Sequence, residues 1–202
     1  MVKIAVFVSG GGTNLQSLID ACASKYIDKG EIKLVISSKK SAYGLERAKN
    51  VGIRAIFTRD EEEIIKYLEE EQIDLIVLAG YLSIVSPRLI SLYKNRIMNI
   101  HPSLIPSFCG PGFYGLHVHE AVYERGVKVS GATVHFVNGE VDGGPIILQE
   151  AIDISKCESP EEIQKLILDN IEHTILPRAV KLYCDGKINI ENERVRILWK
   201  EH

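Results

Sequence analysis

The sequence lacks what several function classes require. It opens on Met-Val-Lys-Ile-Ala-Val-Phe-Val, too short an apolar run for a signal peptide or a bilayer span. No membrane partner is expected, and cytoplasm is the expected location. Its four cysteines, at 22, 109, 157 and 184, form no C-x-x-C pair and no metal-like spacing, which predicts reduced thiols rather than a disulfide framework. His117-Val118-His119 holds two imidazoles, but residues two apart do not share a helix face and no third ligand stands at useful spacing. No metal is expected. Charge of one sign is also missing: 24 Lys and Arg against 27 Asp and Glu give -3, and the basic residues are scattered. That excludes the footprint of a nucleic-acid backbone while leaving room for a local anion pocket.

What remains is an alternation of short apolar runs and helical patterns in 202 residues, 46% of them hydrophobic. Residues 2–8 read as a strand buried on both faces. Ser9-Gly10-Gly11-Gly12-Thr13-Asn14 turns the chain into a helix carrying Leu15, Leu18, Ile19 and Cys22. Ile32–Ile36 is a second strand, followed by a helix lined by Leu45, Ala48 and Val51. Ala55–Phe57 is a third, and Asp60 with Glu63 starts the next helix as a capping box. Asp74–Ala79 is a fourth, Pro87 opens another helix, and Ile97–His101 is a fifth. Lys128–Val137 and Pro145–Ile154 have no helix between them and should pair antiparallel. Ser159-Pro160-Glu161-Glu162 caps a long final helix, with a kink expected at Pro177, and the tail past Gly186 reads as a hairpin. The pattern predicts an α/β, doubly wound, mostly parallel sheet with helices on both faces and an antiparallel C-terminal part. No repeat or linker interrupts it, so one domain over 1–202 is expected.

The glycine turn is not a dinucleotide fingerprint. Counting from Gly10, Leu15 stands where a third glycine belongs, and Ser37-Ser38-Lys39-Lys40 follows strand two where a ribose-binding acid would be. No G-K-[ST] of a P-loop is present. A strand, glycine turn and helix still aim free amides and a helix dipole at one spot, which suits a single phosphate. A tight turn with no ligand is the plain alternative.

Asn99 and His101 alternate onto one face at the end of a strand, and Pro102 restrains His101 to an extended conformation. An amide and an imidazole side by side are donors for an oxygen that becomes negative. Asp142, in the turn Asp142-Gly143-Gly144-Pro145, is the candidate third partner. A carboxylate there would favour the imidazolium and raise the His101 pKa. No serine nucleophile accompanies them, and Cys109 has no cationic neighbour in sequence, so attack by the substrate's own nucleophile is the predicted route. His135 reads as a core histidine or a support. The uncharged run 107–116, with three glycines and three aromatics, reads as a lid or substrate wall.

Val8-Ser9-Gly10-Gly11-Gly12-Thr13-Asn14-Leu15-Gln16, Leu78-Ala79-Gly80-Tyr81, Asn99-Ile100-His101-Pro102-Ser103-Leu104-Ile105-Pro106 and Asp142-Gly143-Gly144-Pro145 together resemble the folate-dependent formyltransferases. The likeness is nearest to the branch that formylates phosphoribosylglycinamide in purine synthesis and runs to about residue 186. It implies a formyltransferase fold, 10-formyltetrahydrofolate as formyl donor, small-molecule partners, and a monomer or homodimer. It also implies that Asn99, His101 and Asp142 carry the chemistry. Gly11, Gly12, Thr13, Asn14, Leu15, Gln16 and Glu172 would hold the nucleotide. Arg59, Leu82, Ser83, Ile84, Val85, Asn138, Gly139, Glu140 and Val141 would line the folate site with Asn99 and Asp142. Ser83 stands where some members carry Arg, and 107–116 is longer than the usual loop. Other members of the family are the neighbouring alternatives: the tRNA-acting branch has an extra basic domain, and the deformylases an N-terminal regulatory one. A non-catalytic nucleotide-binding module is the alternative from another class.

Overall fold

The computed structural model describes residues 1–198; the last four residues of the expected domain lie outside the described residues. Five parallel strands and two antiparallel ones form a single sheet in the order β3-β2-β1-β4-β5-β6-β7. They are β1 (Val2–Val8), β2 (Gly30–Ser37), β3 (Arg54–Phe57), β4 (Leu75–Leu78), β5 (Ile97–His101), β6 (Val129–Phe136) and β7 (Ile146–Asp153). Between them run α1 (Thr13–Ala23), α2 (Tyr43–Asn50), α3 (Glu61–Glu70), α4 (Pro87–Leu92) and α5 (Leu116–Arg125). The C-terminal part holds α6 (Pro160–Ile167), a π turn (Leu168–Glu172), α7 (His173–Cys184) and a separate hairpin, β8 (Ile188–Glu191) with β9 (Arg194–Ile197). The parallel-then-antiparallel layout and the terminal hairpin agree with the sequence pattern.

Strand alternation divides the core into two layers. Ile4, Val6, Val8, Leu75, Val77, Met98 and Ile100 face α1, α2 and the C-terminal helices. Ala5, Phe7, Ile76, Leu78 and Ile97 face α3 and α4. On that second face the apolar series stops after Ile97. Period-two alternation then puts Asn99 and His101 where the next core residues would stand, and β6 answers with Thr133 and His135, paired in register with His101 and Asn99. The site is thus a stretch of sheet face given over to polar side chains.

The caps are made as the sequence suggests, with one refinement. Asp60 accepts from the Glu63 amide at 2.9 Å, but Glu63 returns to the Thr58 hydroxyl at 2.6 Å instead of closing the box on Asp60. Ser159 accepts from the Glu162 amide at 3.2 Å, and Glu162 accepts from the Glu158 amide at 2.8 Å. Two expectations shift. Val51 is exposed and lies past the end of α2, because Gly52 ends the helix in a left-handed turn immediately after it. The departure from α-geometry falls in the π turn 168–172, a turn before Pro177, which sits inside α7.

Candidate active site

His101 ends β5 with its ring almost fully buried. Its Nε2 lies 2.9 Å from the Phe108 carbonyl; a carbonyl only accepts, so Nε2 carries the proton. Its Nδ1 lies 3.5 Å from Asp142 Oδ2. Asn99 donates to Asp142 Oδ1 at 3.4 Å and sits 3.1 Å from His135 Nε2, whose own ring is 3.6 Å from the same carboxylate oxygen. The three residues singled out in the sequence therefore meet, and His135 joins them. Asp142 arrives from the β6–β7 connection, which leaves the sheet beside Ile97 and folds back to the imidazoles. Asp142 is itself left-handed at φ 56°. Gly144 permits the approach, since a Cβ there would stand 1.8 Å from the Phe136 carbonyl.

The segment 107–116 is tied into this cluster by its backbone. The Phe108 carbonyl accepts a hydrogen bond from His101 Nε2, and the Gly110 amide donates to Asp142 Oδ2 at 2.9 Å. Phe108 adopts the left-handed region at φ 50° and its ring meets Phe113 edge-on, with centroids 6.4 Å apart.

Electrostatics correct one sequence expectation. Burial is the largest influence on His101 and depresses its pKa below the ordinary histidine value; the Phe108 carbonyl and Asp142 pull upward and do not overcome it. At neutral pH the ring is neutral with its proton on Nε2. Asp142 goes the other way. Burial works to raise its carboxyl, but the His135 ring, the Gly110 amide and the neighbouring imidazoles outweigh it and hold the group below the usual carboxylate range.

A second polar cluster forms at the glycine turn. Gly12 precedes α1 in the left-handed region and offers no side-chain cap, so the first amides of the helix are not spent on one. Asn14 donates to Glu172 Oε2 at 2.6 Å across 158 residues of chain. Its own Oδ1 is buried without a partner among the described residues. Glu172 sits in the π turn, and burial pushes its carboxyl up to about 7 against the Asn14 bond. Leu15 is fully buried in the core.

A family model for formyl transferase matches residues 2–180. The chain belongs to the formyl transferase family. Among its relatives, the phosphoribosylglycinamide formyltransferase of Haemophilus influenzae is 41% identical over 201 residues, covering 95% of this chain and 92% of that one. That of Escherichia coli is 38% identical, covering 94% and 90%. The crystal structure of glycinamide ribonucleotide transformylase 1 from Symbiobacterium toebii superposes with a TM-score of 0.90 at 40% identity, covering 98% and 94%.

The remaining residues expected of a formyltransferase are more scattered. Arg59 is exposed and donates through Nε to the Ser38 carbonyl at 2.6 Å. Ser38 meets the Ser9 hydroxyl at 2.6 Å, and that hydroxyl accepts from the Leu82 amide at 2.8 Å. Leu82 and Ile84 project into solvent, Ile84 almost fully, while Ser83 and Val85 are half-buried. Asn138 holds the start of its turn by accepting from the Glu140 amide at 2.9 Å, with Gly139, Glu140 and Val141 exposed beside it. The parts played by Phe108 and Gly110 have no signal in the sequence, because both act through backbone atoms, which carry no residue signature. His135 had a signal: its place in β6 puts it opposite Asn99 once the strands are known to pair.

Proposed function

We propose that this formyltransferase moves the formyl group of 10-formyltetrahydrofolate onto the amine of 5'-phosphoribosylglycinamide, as a single domain over 1–202 working in the cytoplasm as monomer or homodimer. The observation that carries the reading is the approach of both Asn99 and His101 to Asp142, at 3.4 and 3.5 Å, on the polar end of a sheet face whose remainder is apolar. The names of the relatives support the choice of substrate, and the free thiols of all four cysteines suit the compartment.

Asn99 and His101 supply hydrogen-bond donors to the formyl oxygen as the substrate amine attacks its carbon and negative charge gathers on that oxygen. Both donors have protein partners, so the substrate oxygen replaces those partners. Asp142, held ionised, is the acceptor for the proton that the attacking amine must shed. The folate supplies the formyl group and leaves with a proton on its N10 nitrogen. Gly11, Gly12, Thr13, Asn14, Leu15 and Gln16 hold the 5'-phosphate, chiefly through amides at the start of α1, and Glu172 faces the nucleotide. Arg59, Leu82, Ser83, Ile84, Val85, Asn138, Gly139, Glu140 and Val141 surround the pterin and its tail. No metal has a role.

The test is turnover with 10-formyltetrahydrofolate and phosphoribosylglycinamide. Formylated amide and tetrahydrofolate in equal amounts are expected. Release of formate without transfer would replace the proposal by a deformylase. Tight nucleotide binding with no turnover would replace it by a binding module.

A further inference from the structure

Arg47 lies on α2, outside every segment given a role above, yet its side chain reaches the glycine turn. Nε donates to the Gly11 carbonyl at 2.8 Å and Nη1 to Gln16 Oε1 at 3.0 Å. The guanidinium carbon stands 5.1 Å from the centroid of the exposed Tyr43 ring, one helical turn back. The helix is brought to this place by backbone contact. The Gly44 amide donates to the Gly10 carbonyl at 3.1 Å, and a Cβ on Gly12 would stand 2.7 Å from Gly44 Cα. Among the described residues no carboxylate pairs with Arg47, whereas Lys49 on the same helix pairs with Glu46 at 2.9 Å.

We propose that Arg47 is a positioning residue for the phosphate end of the ribonucleotide. By holding the Gly11 carbonyl and the Gln16 side chain it turns acceptors away from the anion and fixes the amides of Gly12, Thr13 and Asn14 toward it. Its positive charge, not cancelled by an acid, stands beside the same turn. A carbonyl oxygen turned toward an anion repels it, so tying the carbonyls of an amide cradle elsewhere favours binding. A charged donor fork spanning a backbone and a side-chain acceptor does this better than a lysine. The assignment rests on the phosphate reading of the turn.

The test compares Arg47→Met, which keeps an apolar stem and removes the charged fork, Arg47→Lys and the parent enzyme. Each is assayed with phosphoribosylglycinamide and with its 5'-hydroxyl analogue. For Arg47→Met, KM for the phosphorylated substrate should rise about tenfold, the scale of one lost charge-assisted hydrogen bond. Its kcat and its KM for the formyl donor should stay near the parent values, and KM for the hydroxyl analogue should barely move. Arg47→Lys should recover part of the loss. A KM within twofold of the parent, or equal rises for both substrates, overturns the assignment; the second outcome would make Arg47 a plain brace. If the parent enzyme itself fails to prefer the phosphorylated substrate, the phosphate reading falls first and takes Arg47 with it.

Discussion

Asp142 and Glu172 are both carboxylates almost out of contact with water, and their surroundings drive them in opposite directions. Asp142 has a backbone amide, an Asn99 donor and two imidazoles around it, and stays ionised well into acid. Glu172 has one amide donor and is otherwise surrounded by burial, so its proton is held until about pH 7. Burial opposes ionisation in both; the number of donors decides the outcome. One fold thereby holds an ionised carboxylate in one polar cluster and a carboxyl able to change state near neutrality in the other.

The largest way to break this contrast is to remove the ionised member. Asp142→Asn keeps the shape and loses the base. It should lower kcat by about a hundredfold or more, the range of a lost acid–base group, with little loss of nucleotide affinity. A collapse of binding with turnover surviving would mean Asp142 is structural. The same variant should move the His101 titration, followed by NMR, further below its already depressed position, since Asp142 is one of the groups that draws it upward. An upward move would contradict the charge assigned to Asp142. Next in size, Asn99→Ala or His101→Ala should each cost about a hundredfold in kcat, as for loss of one oxyanion donor. Near-parent turnover in both would remove the oxyanion role.

The two carboxylates also differ in how visible they are from sequence. Asn99, His101 and Asp142 stand out because strand alternation, a proline and a glycine turn each constrain where they point. The succession of strands and helices is legible for the same reason, since apolar period and turn residues are local signals, whereas the order β3-β2-β1-β4-β5-β6-β7 rests on contacts between distant segments. The depressed pKa of His101 was not legible. It depends on how deeply the ring is packed, and the Asp142 contact is a weaker influence than burial. Nor were the Phe108 carbonyl and Gly110 amide, because a backbone atom offers the same donor or acceptor whatever the side chain. The Asn14–Glu172 bond joins positions 158 residues apart, and periodicity has no reach over that distance. Only the resemblance to known formyltransferases pointed to Glu172.

The smaller test concerns Glu172 alone. Its carboxyl ionises near 4.5 in an unfolded chain and near 7 in the folded one. Below pH 4.5 both states keep the proton and the group is neutral to folding. Between 4.5 and 7 the unfolded chain gives the proton up while the folded chain retains it, so stability falls as pH rises through that window and levels off above 7. At about 1.4 kcal/mol per unit of displacement the loss is on the order of 3 kcal/mol, and structural relaxation around an ionised Glu172 lessens it. Glu172→Gln keeps an acceptor for Asn14 and cannot ionise. In ligand-free protein its stability should exceed the parent's progressively from pH 4.5 to 7, measured by denaturant unfolding, and remain ahead by a constant margin at pH 8. Parallel curves for the two proteins would mean that Glu172 is already ionised in the folded state, and that it resembles Asp142 after all.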